Sequence, residues 1–185
     1  MYKEGVIKMS LFGNEKESYK DKKSLVIYFS RADENYGVGY IEKGNTEVIA
    51  EYIKDIINAD LFKVEGIQGY SADYQTCIEE AKIRQQKNER PELKEYISDI
   101  SKYDVIYIGA PVYWGIMPQE MITLLEKLDF TGKIVRVFTT HEGSGLGSIP
   151  EQVRKVCKGA NVLDDAIAIR GTTVKSAKDK IENWL

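Results

Sequence analysis

Unbroken apolar runs alternate with segments of helical spacing along this chain, and that alternation constrains the fold more than any other feature. The run Leu-Val-Ile-Tyr-Phe at residues 25–29 is typical of a strand covered on both faces. Downstream, the apolar residues of 48–56 recur at the spacing of one helix face. The same pattern continues along the sequence and predicts strands near residues 25–29, 61–64, 105–108, 134–138 and 162–169.

Strands that alternate with helices form a parallel sheet with right-handed crossovers. The sequence therefore predicts an α/β fold, a doubly wound three-layer sandwich around a five-stranded parallel sheet. In such open sheets, ligands bind outside the carboxyl ends of the strands, so functional residues are expected in the loops after the first, third and fourth strands. Two helix starts are also predicted, a capping box of Ser148 and Glu151 and a cap by Thr173.

Length and composition fit one domain, predicted over residues 24–185. Residues 1–22 are polar with little periodicity, and they are predicted to be either a mobile leader or a strapping segment. The sequence has no apolar run of about 18 residues, and its N-terminus lacks the apolar core of a signal peptide. These features favour a cytoplasmic protein without a membrane partner.

Charge and residue counts exclude two further classes of function. The net charge of −3 gives no basic surface for nucleic acid. Cys77 and Cys157 lie far apart, and His141 is the single histidine, so no metal site is expected. Cys77 is interpreted as a small buried hydrophobe and His141 as a polar loop residue. No catalytic residue is assigned.

The loop after the first strand has the residues of an anion site. Ser30 follows the strand directly, and Gly44, Asn45 and Thr46 open the next helix. The first N–H groups of a helix lie at the positive end of its dipole and suit a phosphate dianion. Gly44 permits close approach of the backbone, while the hydroxyls and the amide can donate. The alternative is that Asn45 or Thr46 only caps the helix.

This loop is neither a P-loop nor a dinucleotide fingerprint. No Gly-Lys-Ser/Thr follows a glycine at the P-loop spacing, and the glycines at 37 and 39 lack the third member of the dinucleotide motif. A nucleoside triphosphate or an NAD held in the usual way is therefore disfavoured.

The loops after the third and fourth strands supply aromatic rings and backbone groups. Tyr113 and Trp114, within 109–115, can stack on a planar ring system, or they can cover the core or a subunit interface. Three glycines at alternate positions within 139–147 can expose backbone N–H and C=O groups to the edge of a ring, unless this segment is a flexible linker. All three loops are expected to converge on one site.

These motifs resemble those of the flavodoxin family. The stretch from Ser30 to Thr46 is similar to the family's phosphate loop, Tyr113-Trp114 to a flavin-stacking loop, and 139–147 to the third flavin loop. The resemblance covers residues 24–185 and implies the strand order 2-1-3-4-5 and a non-covalently bound flavin mononucleotide (FMN). The implied cofactor-binding residues are Ser30, Arg31, Ala32, Gly44, Asn45, Thr46, Ala110, Pro111, Val112, Tyr113, Trp114, Gly115, Thr140, Glu142, Gly143, Ser144 and Gly145.

The sequence departs from the family pattern in two ways. Residues 31–43 lengthen the phosphate loop, which is compact in ordinary flavodoxins, and the longer loop is similar to that of a bacterial sub-branch. Within it, Arg31 can contact the phosphate or lie in solvent, and Tyr36 or Tyr40 can reach the ring. The second departure is the net charge, which is less acidic than in typical flavodoxins and weakens the case for docking on basic redox partners.

The resemblance implies electron transfer through FMN between redox partner proteins. The alternative is an enzyme on the same fold, an NAD(P)H-dependent FMN or quinone reductase, in which Tyr113 and Trp114 shield the flavin or form the substrate platform. A receiver-type regulatory domain is disfavoured, because Ser30 and Arg31 stand where its acidic pair would be. The chain is expected to be a monomer or a homodimer.

Overall fold

The computed structural model describes residues 19–185, so most of the segment predicted as a leader at 1–22 lies outside the described residues. At its described end, Tyr19 is buried in the hydrophobic cluster that also contains Val26. This end of the segment therefore packs on the domain.

The described part of the chain alternates strands and helices as the sequence predicts. The strands are β1 (Ser24–Tyr28), β2 (Asp33–Asn35), β3 (Gly39–Ile41), β4 (Asp60–Lys63), β5 (Val105–Pro111), β6 (Ile134–His141), β7 (Asn161–Val162) and β8 (Ile167–Arg170). The helices are α1 (Asn45–Ile57), α2 (Tyr74–Gln86), α3 (Gln119–Leu125), α4 (Ile149–Val156) and α5 (Lys178–Trp184), with a 3₁₀ helix at Gly171–Ser176 before α5.

The main sheet is parallel, in the order β4-β1-β5-β6, with β7 and β8 both paired to β6. β7 pairs with the start of β6 and β8 with its end. The single strand predicted at 162–169 is therefore two pieces in the place of strand five. The α/β doubly wound fold class is confirmed, and the order differs from 2-1-3-4-5 by this break.

A charged pair lies at the break. Arg136 of β6 is buried, and its Nη2 donates to Asp165 Oδ2 at 2.6 Å, between β7 and β8. The Arg136 guanidinium also packs 4.2 Å from the ring of Trp184 in α5. We attribute the break between β7 and β8 to Asp165, because its carboxylate binds the buried Arg136 guanidinium at the point where a regular strand would continue.

Two hydrophobic clusters lie on opposite faces of the sheet. Along β1, Leu25 and Ile27 face the cluster that holds α3 and α4, whereas Val26 and Tyr28 face the cluster that holds α1 and α5. Successive side chains of a strand point to opposite faces, and both faces are covered, so residues 25–28 of the strand are apolar. The third layer that the sequence predicts is thus present.

The inserted segment 31–43 forms a two-stranded antiparallel hairpin, β2-β3, outside the main sheet. We call residues 31–43 the inserted hairpin. The sequence shows no alternation of apolar residues there, and the hairpin was not predicted.

The helix start predicted at Ser148 is confirmed, because Ser148 is the N-cap residue of α4, but neither predicted side-chain cap forms. Ser148 makes no capping bond with its side chain; its Oγ donates instead to Gly115 O at 3.0 Å. Thr173 lies inside the 3₁₀ helix and donates to Arg170 O, while α5 begins five residues later at Lys178. In both cases the hydroxyl donates to a backbone carbonyl and not to the first turn of the helix.

No helix among residues 19–185 is long and apolar enough to span a membrane. The same residues contain no cluster of His, Cys, Asp or Glu that could hold a metal ion.

Candidate functional site

A cleft of about 360 Å³ lies at the carboxyl ends of β1, β5 and β6, where the sequence places the site. Its volume is in the range of small-molecule sites. It is lined by residues of all three predicted loops, together with α2 and the inserted hairpin: Ser30, Arg31, Asn35, Tyr36, Asn45, Thr46, Tyr74, Cys77, Ile78, Ala81, Pro111, Val112, Tyr113, Trp114, Gly115, Thr140, His141, Glu142 and Ser144.

The N-terminus of α1 forms one end of the cleft. Its N-cap, Gly44, has no side chain to cap the helix, and Ser30 does so in its place by accepting from Glu47 N–H at 3.0 Å. A Cβ on Gly44 would lie 2.2 Å from Ser30 Oγ and 2.5 Å from Arg31 O. Glycine is therefore required for the Ser30 loop to close on the helix.

Two hydroxyls meet beside this helix end. Thr46 Oγ1 and Thr140 Oγ1 are 2.7 Å apart, and both side chains are buried and line the cleft. One hydroxyl donates to the other, so the second retains a proton for another acceptor. The pair ties α1 to β6 and still has a hydrogen-bond donor available.

Asn45 lies in a close contact with two other segments. A Cβ on Gly171 would lie 2.3 Å from Asn45 Nδ2 and 2.4 Å from Glu142 Oε1. Glu142 Oε1 also accepts from Thr172 N–H at 2.9 Å. The start of the 3₁₀ helix thereby holds the Asn45 and Glu142 side chains at the cleft wall.

The aromatic loop is a tight turn at residues 113–116, which we call the aromatic turn. Tyr113 N–H donates to Ile116 O and Ile116 N–H donates back to Tyr113 O, at 2.9 and 3.1 Å. Trp114 and Gly115 have φ values of +51° and +83°, as a type I′ turn requires. A bulky residue rarely adopts positive φ, and such strain is concentrated at functional sites.

Trp114 is held against α2. Its indole N–H donates to Ile78 O at 2.7 Å, and Lys82 Nζ lies 5.2 Å from the ring centroid. The side chain remains 51% exposed, so about half of its surface is available at the mouth of the cleft.

Tyr113 packs into a group of aromatic rings behind the turn. Its ring meets Tyr70 and Phe29 edge to face, with centroids 5.6 and 6.2 Å apart. Burial raises the pKa of Tyr113 well above its ordinary value, so the phenol stays protonated. The base of the aromatic turn is therefore fixed by packing.

A buried ion pair supports this aromatic group, and the sequence did not indicate it. Glu120 of α3 pairs with Arg84 of α2 and accepts from Tyr70 OH at 3.1 Å. The Arg84 guanidinium lies 4.2 Å from the centroid of the Tyr70 ring. Desolvation raises the pKa of Glu120, while Arg84 and Tyr70 oppose that shift.

The glycine-bearing loop, residues 139–147, closes the cleft from the other side. Its His141 Nδ1 accepts from Gly143 N–H at 2.9 Å, and burial lowers the pKa of His141. Ser148, the residue after this loop, joins it to the aromatic turn. Gly115 O accepts from the N–H of Ser148 at 2.8 Å and from its Oγ at 3.0 Å.

Backbone carbonyls accept from four of the five N–H donors of Arg31. Its Nε and Nη2 donate to Ser71 O, Nη2 donates also to Ala72 O, and Nη1 donates to Glu34 O, all at 2.6–3.1 Å. Arg31 is partly buried and lines the cleft, so it does not lie free in solvent, and its contact with a phosphate stays a prediction. It also fastens the inserted hairpin to the loop before α2.

Most of the predicted cofactor-binding residues line the cleft, and a few do not. Those outside its lining are Ala32, Gly44, Ala110, Gly143 and Gly145. Of the two insertion tyrosines, Tyr36 reaches the cleft and Tyr40 does not. The lining residues that the sequence did not assign to the site are Asn35, Tyr74, Cys77, Ile78, Ala81 and His141.

Tyr74, Cys77, Ile78 and Ala81 recur at helical spacing, which was the sequence signal for this side of the cleft, but of these residues only Cys77 was interpreted, as a buried hydrophobe. Cys77 is buried as predicted, and burial raises the pKa of its thiol. It also lines the cleft. An apolar stripe on a helix can thus cover a binding cleft as well as a core.

Comparison with known proteins identifies the family. The family model for flavodoxin matches residues 23–185. The chain belongs to the flavodoxin family. No curated protein matches this flavodoxin-family chain.

Solved structures agree with this assignment. A flavoprotein of Lactobacillus acidophilus NCFM in complex with FMN is 26% identical, with 86% of this chain and 97% of that chain covered and a TM-score of 0.60. Oxidised flavodoxin 2 of Bacillus cereus is 21% identical, with 88% and 97% covered and a TM-score of 0.50. A Bacteroides uniformis protein is 23% identical, with 88% and 99% covered and a TM-score of 0.69. The family and the FMN complex support FMN as the cofactor.

Proposed function

We propose that this protein binds FMN non-covalently in the cleft and transfers electrons through it. The observation that carries the proposal is the convergence of a helix N-terminus, an aromatic turn and a glycine-bearing loop on one cleft of suitable size. These are the groups that a phosphate, a planar ring and the polar edge of that ring require.

The phosphate end of the ligand belongs at α1. The helix dipole favours a dianion there; Ser30 accepts from Glu47 N–H, and the N–H groups of Asn45 and Thr46 in the first turn are left to donate to it. The Thr46–Thr140 pair supplies one further proton, and Asn45 an amide. This end of the cleft fits a phosphate monoester through neutral donors and the helix dipole.

The ring belongs beside the aromatic turn. Trp114 and Tyr113 offer aromatic faces, and the turn exposes backbone groups next to them. Since Gly115 O already accepts twice from Ser148, the Trp114 carbonyl is the group of this turn that remains for a ring N–H. FMN supplies the redox chemistry, and the chain binds, orients and shields it.

The charge of the cleft favours a carrier over an NAD(P)H-dependent reductase. Among the described residues that line it, Arg31 is the one Arg or Lys, and backbone carbonyls accept from four of its five N–H donors. A second ligand with several phosphates would thus find a single cation there, with one N–H to donate. We propose redox partner proteins as the source and destination of the electrons, in the cytoplasm.

The experiment is a titration of purified protein with FMN, followed by absorbance and flavin fluorescence. Thr46→Ala should weaken FMN binding by about tenfold to a hundredfold, the value of a hydrogen bond to a charged group. Thr76→Ala is the matched control, because Thr76 donates to Asp73 at the start of α2, outside the cleft. No FMN binding by the unaltered protein would refute the proposal.

The carrier role is tested separately on the FMN-loaded protein. Reduction by dithionite but not by NADPH is expected. Rapid bleaching by NADPH, with turnover when a quinone is added, would establish the reductase instead.

A further inference from the structure

The first turn of α4 contacts the back of the aromatic turn. Gly115 O accepts from the N–H of Ser148 at 2.8 Å and from its Oγ at 3.0 Å. Met117, the residue after the aromatic turn, donates its N–H to Gln152 Oε1 at 2.9 Å. Ser148 and Gln152 are outside the lining of the cleft. They therefore act on the aromatic turn and not on a ligand directly.

The hydroxyl of Ser148 serves the aromatic turn and not its own helix. Ser148 is the N-cap residue of α4, the position at which a serine side chain ordinarily accepts from an N–H of the first helical turn. Its side chain makes no such bond, and its Oγ donates instead to Gly115 O, 33 residues away. The structure thus uses this hydroxyl to hold a distant carbonyl, at the cost of a helix cap.

Gly147 brings the start of α4 into direct contact with the aromatic turn. Its φ is +55°, and a Cβ at this position would lie 2.5 Å from Gly115 O and 3.0 Å from Val112 Cγ1. Glycine adopts this φ readily and leaves space for the approach. Backbone packing and two hydrogen bonds therefore fix the Gly115 carbonyl.

The aromatic turn needs such anchors because its backbone is strained. Trp114 has a φ of +51°, which a bulky residue keeps only where its surroundings impose it. On one side its indole N–H donates to Ile78 O, and on the other side Ser148 holds Gly115 O. The peptide that carries the Trp114 carbonyl lies between these two anchors, so its direction depends on both.

The Trp114 carbonyl is the group that the proposed function assigns to a ring N–H. Flavin carries an N–H at its central ring when it is reduced, and only a ring nitrogen there when it is oxidised. A carbonyl that is held beside that position binds the reduced state better. Without the anchor at Gly115 O the carbonyl can move away, so the turn discriminates less between the two states.

We propose that Ser148 is a positioning residue for electron transfer. By holding Gly115 O it fixes the Trp114 carbonyl, and it thereby raises the affinity of the protein for reduced FMN relative to oxidised FMN. The inference rests on the proposed function, since it concerns the potential of FMN in the cleft. It gives a role to the serine hydroxyl that α4 does not use as a cap.

The test measures the two-electron midpoint potential of the FMN-loaded full chain by equilibration with a redox dye. Ser148→Ala should lower the ratio of the affinities for reduced and oxidised FMN by about three- to tenfold, the value of one hydrogen bond. This change lowers the potential by about 15–30 mV. Ser148→Thr keeps the hydroxyl and should keep the potential of the unaltered protein.

Ser176→Ala is the matched control. Ser176 is also exposed, its Oγ donates to Thr173 O at 3.1 Å in the 3₁₀ helix, and it does not line the cleft. This variant should leave the potential unchanged. A second readout needs no FMN. Ile116 N–H, which closes the aromatic turn on Tyr113 O, should exchange with solvent faster in Ser148→Ala.

Other outcomes overturn the inference. An unchanged potential in Ser148→Ala shows that Ser148 does not position the group at the ring, and unchanged exchange of Ile116 N–H shows that the turn does not depend on Ser148. An equal shift in Ser148→Thr or in Ser176→Ala shows that the hydroxyl at Gly115 O is not the cause. FMN binding by the unaltered protein is measured first. Its absence refutes the proposed function as well, and is thereby distinguished from a loaded protein whose potential does not respond.

Discussion

Replacing Arg84 with Met should destabilise this protein strongly, because it leaves a buried carboxylate without its cation. Glu120 is 1% exposed and the Arg84 side chain 11%, so water replaces little of the lost interaction. Arg84 also donates to Gln68 O at 3.1 Å and packs on the Tyr70 ring. Met keeps much of the apolar contact with that ring and removes the charge.

The expected loss is about 3–5 kcal/mol, the usual cost of breaking a buried ion pair from one side. For a chain of this length, 1 kcal/mol corresponds to about 2–4 °C in Tm, so the midpoint should fall by about 6–20 °C. Arg90→Met is the matched control. It breaks the ion pair between Arg90 and Glu126, whose side chains are 33% and 44% exposed. The loss in free energy of unfolding should be about 0.2–1 kcal/mol.

The loss should also depend on pH. Burial raises the pKa of Glu120 above its ordinary value of 4.5, and removal of Arg84 raises it further. A carboxyl with a raised pKa in the folded state binds a proton on folding, so its penalty is full above the folded pKa and disappears below the unfolded pKa. The difference between Arg84→Met and the unaltered protein should therefore shrink as the pH falls from 7 toward 4.5.

Thermal unfolding followed by circular dichroism at pH 7 and pH 5 measures both effects. The double variant Arg84→Met/Glu120→Gln should recover most of the stability, since it removes the charge and keeps an acceptor for Tyr70 OH. The reasoning is refuted if Arg84→Met costs no more than Arg90→Met, or if its cost is the same at both pH values.

Three further outcomes are expected. Gly44→Ala places a Cβ 2.2 Å from Ser30 Oγ and 2.5 Å from Arg31 O, so the Ser30 loop must move; FMN binding should weaken at least tenfold in a fluorescence titration, and stability should fall by about 1–3 kcal/mol. Unchanged affinity would contradict the close approach. Gly109→Ala places a Cβ 2.0 Å from the Phe138 ring and should cost about 1–3 kcal/mol in urea unfolding. Burial raises the pKa of Cys157 to about 12, so iodoacetamide at pH 8 should modify this thiol only after the protein unfolds. Mass spectrometry measures the modification, and rapid modification of the folded protein would contradict the burial of Cys157.

The fold could be predicted because the main strands are recognisable from their own residues. A strand covered on both faces is expected to form a nearly continuous apolar run, and 25–29 and 105–108 are such runs in the sequence itself. The position of the cleft followed from the same argument, since the carboxyl ends of parallel strands share one edge.

The features that were missed depend on partners far away in sequence. The break between β7 and β8 involves Asp165 and Arg136, 29 residues apart. The cap expected of Ser148 failed because its hydroxyl finds Gly115 O, 33 residues away. The inserted hairpin is held by Arg31 contacts to a loop about 40 residues away. No local pattern can report such contacts.

The attachment of the inserted hairpin has a consequence for how a ligand enters and leaves the cleft. Its strands share no ladder with the main sheet, and the contacts of Arg31 and Glu34 fasten it to the start of α2. Such a unit opens with a free energy of its own, below that of global unfolding. We expect its amides to exchange with solvent faster than those of β1 and β5, so that exchange of a bound molecule follows the local opening of residues 31–43 while the sheet remains intact.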